Sequence, residues 1–193
     1  MNGSTAQPQK AVSLRLSISL LIAFFVVVIG GVIALLRLST HASAYHAYRI
    51  SSSSMNPTLY AGDRIFVDQS YYTSHPLADG DLVAFRHGDT TLVKRISALS
   101  GETIEGRNGV LFRNGVALTE PYVVFSKDNP IPEIETFPAR QVPAGEIFVT
   151  GDSRDASLDS RASDYGPVYT SDVLGKVTRV YLSPHLSQIG RSF

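Results

Sequence analysis

The sequence predicts a mainly β domain of antiparallel sheet behind one N-terminal transmembrane helix. Three observations predict it: an uncharged stretch of 21 residues from Leu16 to Leu36, a succession of short β-branched and aromatic runs after it, and turn formers placed between those runs. A length of 193 residues suits one anchored domain of ordinary size.

Residues 1–15 read as a short tail that carries Lys10 and Arg15. Leu16 to Leu36 lies between Arg15 and Arg37, and at about 1.5 Å per residue it reaches roughly 30 Å, the thickness of a bilayer's hydrocarbon core. A cleaved signal peptide is the competing reading, because Ala42-Ser43-Ala44 has the small-x-small form of a cleavage site. Secretory apolar cores run about 7 to 15 residues, so the length here favours a retained anchor. Lys10 and Arg15 on one side balance Arg37 and Arg49 on the other, and the positive-inside count does not orient the helix. Residues 37–49 read as a juxtamembrane linker and 50–193 as the water-facing domain, with a small accessory β region at about 103–142.

Within that domain the expected strands are Arg64 to Val67, Leu82 to Phe85, Leu92 to Ile96, Val110 to Phe112, Glu146 to Val149 and Lys176 to Leu182. Asn108-Gly109, Asn114-Gly115 and Pro143-Ala144-Gly145 punctuate them. Asn114-Gly115, set between two apolar runs, predicts a type I′ hairpin. Ser126 to Pro143 holds four prolines and reads as an extended loop.

Composition removes several function classes. Lys plus Arg and Asp plus Glu are 17 each, so the overall charge does not point to nucleic acid. With no cysteine, disulfides, thiol catalysis and cysteine-based metal sites are excluded. Asp155, Ser157 and Asp159 are spaced like a calcium loop, but Ser160 stands where such a loop needs glycine and Gly166 where it needs glutamate. No cofactor or metal is expected.

Strand parity gives Lys94 a chemical meaning. Side chains i and i+2 share a face, so Lys94 points with Leu92 and Ile96, while Val93, Arg95 and Ser97 point the other way. A lysine on an apolar face is desolvated, which lowers its pKa and makes the neutral amine available as a base. A snorkelling lysine with its head in water is the plain alternative. Ser54 ends the run Ser51-Ser52-Ser53-Ser54, ordinarily a linker, but Met55-Asn56-Pro57-Thr58-Leu59 follows it as a constrained turn. There Ser54 is a candidate nucleophile, its backbone amide and the Ser52 hydroxyl being candidate oxyanion donors. The polar loop from Gly151 to Arg161 follows a strand; a hydroxyl from it is placed to orient the Lys94 amine, with Asp159 and Arg161 paired as support. A Ser-His-Asp triad remains open, since such partners meet only in space. So does a membrane-anchored β module that binds peptides without catalysis.

Four segments, in order, carry a family resemblance: Ser52 to Leu59, Gly80-Asp81-Leu82-Val83-Ala84-Phe85, Lys94-Arg95, and Gly151 to Arg161. On these the chain resembles the type I signal peptidases, membrane-bound Ser-Lys endopeptidases, of the bacterial or organellar branch. The resemblance implies an antiparallel β-sheet catalytic domain of signal-peptidase type, Ser54 as nucleophile and Lys94 as general base. It further implies an oxyanion hydroxyl from Ser52, a positioning hydroxyl from Ser157, and bracing by Asp159 and Arg161. Implied too are Ala-x-Ala specificity, exported preproteins as substrates, contact with membrane lipid and the secretion translocon, no nucleic-acid partner, and a single-pass protein of the cell's inner membrane with its domain on the extracytoplasmic side. The substrate is expected as an added strand against Ile50, Ser51, Ser53, Leu92 and Val93. Ser51, Ser153 and Ala156 depart from the family's usual proline and asparagines.

Overall fold

The computed structural model describes residues 8–42, 44–125 and 136–193. One compact unit ends at Ala44 and a second comprises Tyr45–Phe193. The first contains helix α1, Pro8–Ala42, whose 35 residues extend about 50 Å at helical rise. Its window Ser19–Leu36 is long and apolar enough to cross a membrane, and its side chains are exposed all round, as a helix with apolar residues on every face requires of a lipid surrounding.

The second unit is built on antiparallel sheets, in agreement with the fold class expected. A seven-stranded sheet has the order β1-β2-β11-β3-β4-β9-β10. Its strands are β1 Tyr45–Arg49, β2 Arg64–Asp68, β3 Leu82–His87, β4 Thr90–Ala98, β9 Glu146–Thr150, β10 Val168–Tyr169 and β11 Val173–Leu182. A four-stranded sheet, β7-β6-β5-β8, comprises β5 Thr103–Arg107, β6 Val110–Arg113, β7 Val116–Ala117 and β8 Phe137–Gln141. A four-residue helix, α2, Tyr71–Ser74, follows β2.

Two expectations are corrected. Residues 37–49 are not a linker: α1 continues to Ala42, and Tyr45–Arg49 pairs in full register with β2, Tyr45 opposite Asp68 and Arg49 opposite Arg64. Nor is the stretch from 126 to 143 wholly loop, because Phe137–Gln141 pairs with β5. Pro138 is accommodated there because β8 lies at the edge of its sheet and Pro138 falls in the register shift between Phe137 and Arg140, with no residue of β5 directly opposite it. Residues 126–135 of that expected loop, and Ser43 of the Ala-Ser-Ala motif, lie outside the described residues.

Both Asn-Gly pairs turn their hairpins with positive φ, at 49° and 82° for Asn108 and Gly109 and at 51° and 79° for Asn114 and Gly115, the sign that a type I′ turn needs at both central residues. The large sheet buries apolar side chains on both faces. One cluster gathers Met55, Leu59, Ile65, Val67, Leu82 and Ala84 with Val93 against it. The other gathers Val83, Phe85, Ile96, Ile147, Val149 and Val168 with Leu92. Alternation along β4 thus sends Leu92 and Ile96 to one cluster and Val93 to the other.

Candidate active site

The segment that carries Ser54 leaves β1 and is fixed before it turns. Ile50 N–H donates to the Asp63 carbonyl at 2.8 Å, and Gly62 N–H donates to the Ile50 carbonyl at 2.8 Å. Met55 and Leu59, the apolar residues just beyond Ser54, are both buried in the first cluster. With its neighbours seated in this way, the segment cannot behave as a linker, and Ser54 itself is buried. Its carbonyl accepts from Ser153 N–H at 3.1 Å, and its hydroxyl lies 3.2 Å from that of Ser52.

Lys94 enters from β4, where it sits opposite Val83 of β3 and is itself buried. Its ammonium group donates to Ser157 Oγ at 2.8 Å, and Ser157 Oγ donates onward to Asp159 Oδ2 at 2.6 Å. Asp159 also accepts from Gly151 N–H at 2.8 Å and from Arg161 Nε at 2.8 Å. Arg161 Nη2 closes the loop on itself through the carbonyls of Arg154 and Ser157. Burial lowers the Lys94 pKa to about 8; the Asp159 charge opposes that shift and the Arg161 charge adds to it. Burial by itself would raise the Asp159 carboxyl, but the Arg161 guanidinium and the bonds from Ser157 and Gly151 hold it below the usual carboxylate range.

Ser54 and Lys94 line one cavity of about 350 Å³. Among the described residues no hydrogen bond joins their side chains directly; each faces the cavity from its own partner, Ser52 for the serine and Ser157 for the lysine. Of the expected substrate contacts, Ile50, Ser51, Leu92 and Val93 line the cavity, and Ser53 does not; the Ser53 side chain is exposed and its carbonyl accepts from Asn56 N–H in the turn. The cavity has an open strand edge beside it. Strand β9 pairs with β4 from Arg95 onward, leaving residues 91–94 with β3 on one side and no strand on the other among the described residues.

Three supports escaped the reading of the sequence. Arg95 donates to both carboxylate oxygens of Asp152, from Nε at 2.9 Å and from Nη2 at 2.7 Å, and stacks on the Tyr122 ring at 3.8 Å. Arg154 is buried and pairs with Glu120 at 2.6 Å, tying the loop to the segment that follows β7. Gly151 has no room for a side chain, because a Cβ there would collide with Ser157 and with the Ser54 carbonyl. Gly151 and the closely spaced charges from Asp152 to Arg161 mark the loop, but the partners of Arg95 and Arg154 come from 57 and 34 positions away and carry no local signal.

Comparison with known proteins now decides the family. The model of the family described as signal peptidase, peptidase S26, matches residues 18–182. The chain belongs to this family. The signal peptidases are serine endopeptidases, and the relatives bear the name: signal peptidase I of Bacillus amyloliquefaciens is 34% identical over 148 residues, 73% of this chain and 76% of that protein. The Synechocystis protein named "Probable signal peptidase I-1" is 36% identical over 128 residues, 61% of this chain and 62% of that protein. A crystal structure of signal peptidase I from Enterococcus faecalis is 35% identical with a TM-score of 0.45, covering 54% of this chain and 98% of that one. For a member of the signal peptidase family, an apolar N-terminal helix of spanning length is consistent with membrane anchoring.

Proposed function

We propose that this chain is a membrane-bound serine endopeptidase that removes N-terminal signal peptides from exported preproteins by a Ser54-Lys94 dyad. The observation that carries the reading is a buried lysine whose only hydrogen-bond partner among the described residues is a neutral hydroxyl, in one cavity with a buried serine. At an ordinary pKa a lysine amine is neutral in roughly 0.03% of molecules at pH 7, whereas a pKa of about 8 leaves about a tenth neutral. That population is sufficient for a general base.

In the mechanism, Ser54 Oγ exchanges its Ser52 partner for Lys94 Nζ, whose lone pair accepts the hydroxyl proton. The freed oxygen attacks the scissile carbonyl, and the oxyanion is held by the Ser54 amide and the Ser52 hydroxyl. The Lys94 ammonium returns the proton to the leaving amine. Water, giving its proton to Lys94, then attacks the acyl-enzyme ester, and Ser54 recovers a proton from the ammonium as it leaves. Ser157 keeps the amine aimed throughout, and Asp159 with Arg161 keeps Ser157 placed. The substrate lies extended along the open edge at 91–94, bonded as an added strand, with small residues opposite the walls formed by Ile50, Leu92 and Val93. This gives small-x-small specificity of the Ala-x-Ala kind. Substrates of this type are themselves held in the bilayer, so an anchor raises their effective concentration at the site. The domain faces the extracytoplasmic side of the cell's inner membrane, beside lipid and the translocon that delivers its preproteins.

The test is single-turnover cleavage of a preprotein by the full chain in detergent. Ser54→Ala and Lys94→Met each lose at least about a thousandfold in rate. Cleavage close to that of the unmodified chain in either variant rejects the dyad.

A further inference from the structure

Among the described residues, the 15 that line the cavity include Arg49, His87 and Lys94 and no carboxylate. The acidic groups of the site lie behind its wall and are already engaged, Asp152 by Arg95 and Asp159 by Arg161. Arg49, at the end of β1, stands directly opposite Arg64 on β2, and both are exposed. Neither has a side-chain hydrogen bond or ion pair among the described residues. Like charges on directly opposed strand residues repel, so this pair is unfavourable until an anion lies between or beside its members. The hollows that hold them adjoin the cleft: a second cavity shares Arg49, Ile50 and Ser51 with the first, and a third is lined by Arg49 and Arg64 together.

We propose that Arg49 and Arg64 form a carboxylate subsite that favours preproteins carrying Asp or Glu a few residues from the cut bond and disfavours Lys or Arg there. This rests on the cavity being the substrate cleft. Arg49 precedes Ser54 by five positions, at most about 17 Å of extended chain, which is within the span of about five substrate residues. The charges are exposed, so the discrimination is moderate and screened by salt.

The experiment uses the full chain in detergent and otherwise identical peptides with Glu, Gln or Lys at single positions from about six residues before the cut to about four after it. At one or two positions kcat/KM falls in the order Glu, Gln, Lys, with a Glu-to-Lys ratio of about tenfold at low salt that shrinks at high salt. Arg49→Glu inverts that ratio and Arg64→Gln reduces it; a ratio taken within one enzyme is unaffected by any loss of folded protein. A wild-type ratio within about twofold at every position, or an unchanged ratio in Arg49→Glu, overturns the subsite. So does Arg49→Gln leaving the ratio intact while weakening sedimentation with phosphatidylglycerol vesicles, which makes the arginines headgroup contacts. Ser54→Ala separates the two ideas: cleavage surviving in that variant removes the dyad, whereas its loss beside a flat charge ratio removes only the subsite.

Discussion

Lys94 and Arg95 are consecutive cations on β4, both buried, on opposite faces of one sheet. Arg95 is fully compensated, with two bonds to the Asp152 carboxylate, one to the Gly80 carbonyl and an aromatic ring beneath it. Among the described residues the Lys94 amine bonds only to the Ser157 hydroxyl, and the carboxylate of Asp159 is one bond further on and is held by Arg161. Burial penalises charge on both faces, but on only one does an anion in direct contact offset it. One strand thereby carries a permanent cation that fixes the loop and a titratable amine that faces the cavity. What separates structure from chemistry here is the partner, since burial is common to both.

The sharpest way to break that comparison is to remove each partner in turn. Asp152→Asn leaves a buried guanidinium without its counter-charge and is expected to cost roughly 3 to 5 kcal/mol of stability, read from urea unfolding of the full chain in micelles. Ser157→Ala removes a neutral acceptor and costs about 1 to 2 kcal/mol, while turnover falls about a hundredfold. If the two variants were equally destabilised, the faces would not differ in the manner described.

A second measurement isolates the uncompensated side. The folded pKa of Lys94, about 8, lies below its unfolded value of 10.5, so the folded state disfavours the ammonium. The penalty is complete below pH 8, and it is relieved as pH rises from 8 to 10.5, because in that window the unfolded chain binds the extra proton. The unfolding free energy should therefore gain up to roughly 3 kcal/mol across the window relative to Lys94→Met, in which this contribution is absent. Parallel pH profiles for the two proteins would show that the amine is not desolvated.

The same comparison explains what could be read from the sequence. Parity alone placed Lys94 and Arg95 on opposite faces, because a strand with both faces buried has a period that residues such as Leu92, Val93 and Ile96 report. The Asn-Gly turns were legible because positive φ at two successive positions restricts residue choice. Strand β1 was not legible: its residues are exposed or half-buried, so Tyr-His-Ala-Tyr-Arg shows no apolar alternation and resembles a linker. Strand β8, with Pro138 on an edge, was hidden for a related reason. In the site, Ser157, Asp159 and Arg161 lie within one short loop and read together, whereas Arg95 with Asp152 and Arg154 with Glu120 are pairings that only folding creates.

The smallest expected effect is also the most selective, because it changes the charge around Lys94 without replacing either partner of the Lys94-Ser157 hydrogen bond. The Asp159 charge raises the Lys94 pKa and the Arg161 charge lowers it. Asp159→Asn removes the first and leaves the second unneutralised, so the acid limb of kcat/KM, expected near pH 8 for the proposed dyad, moves to lower pH. Arg161→Gln removes the second and moves the limb to higher pH. A purely structural role for the pair would lower the rate in both variants and shift neither limb. Opposite shifts require that Lys94 be the titrating group and that the Asp159-Arg161 pair act on it through space, with Ser157 as the contact between them; shifts of the same sign would place the titration elsewhere in the cavity.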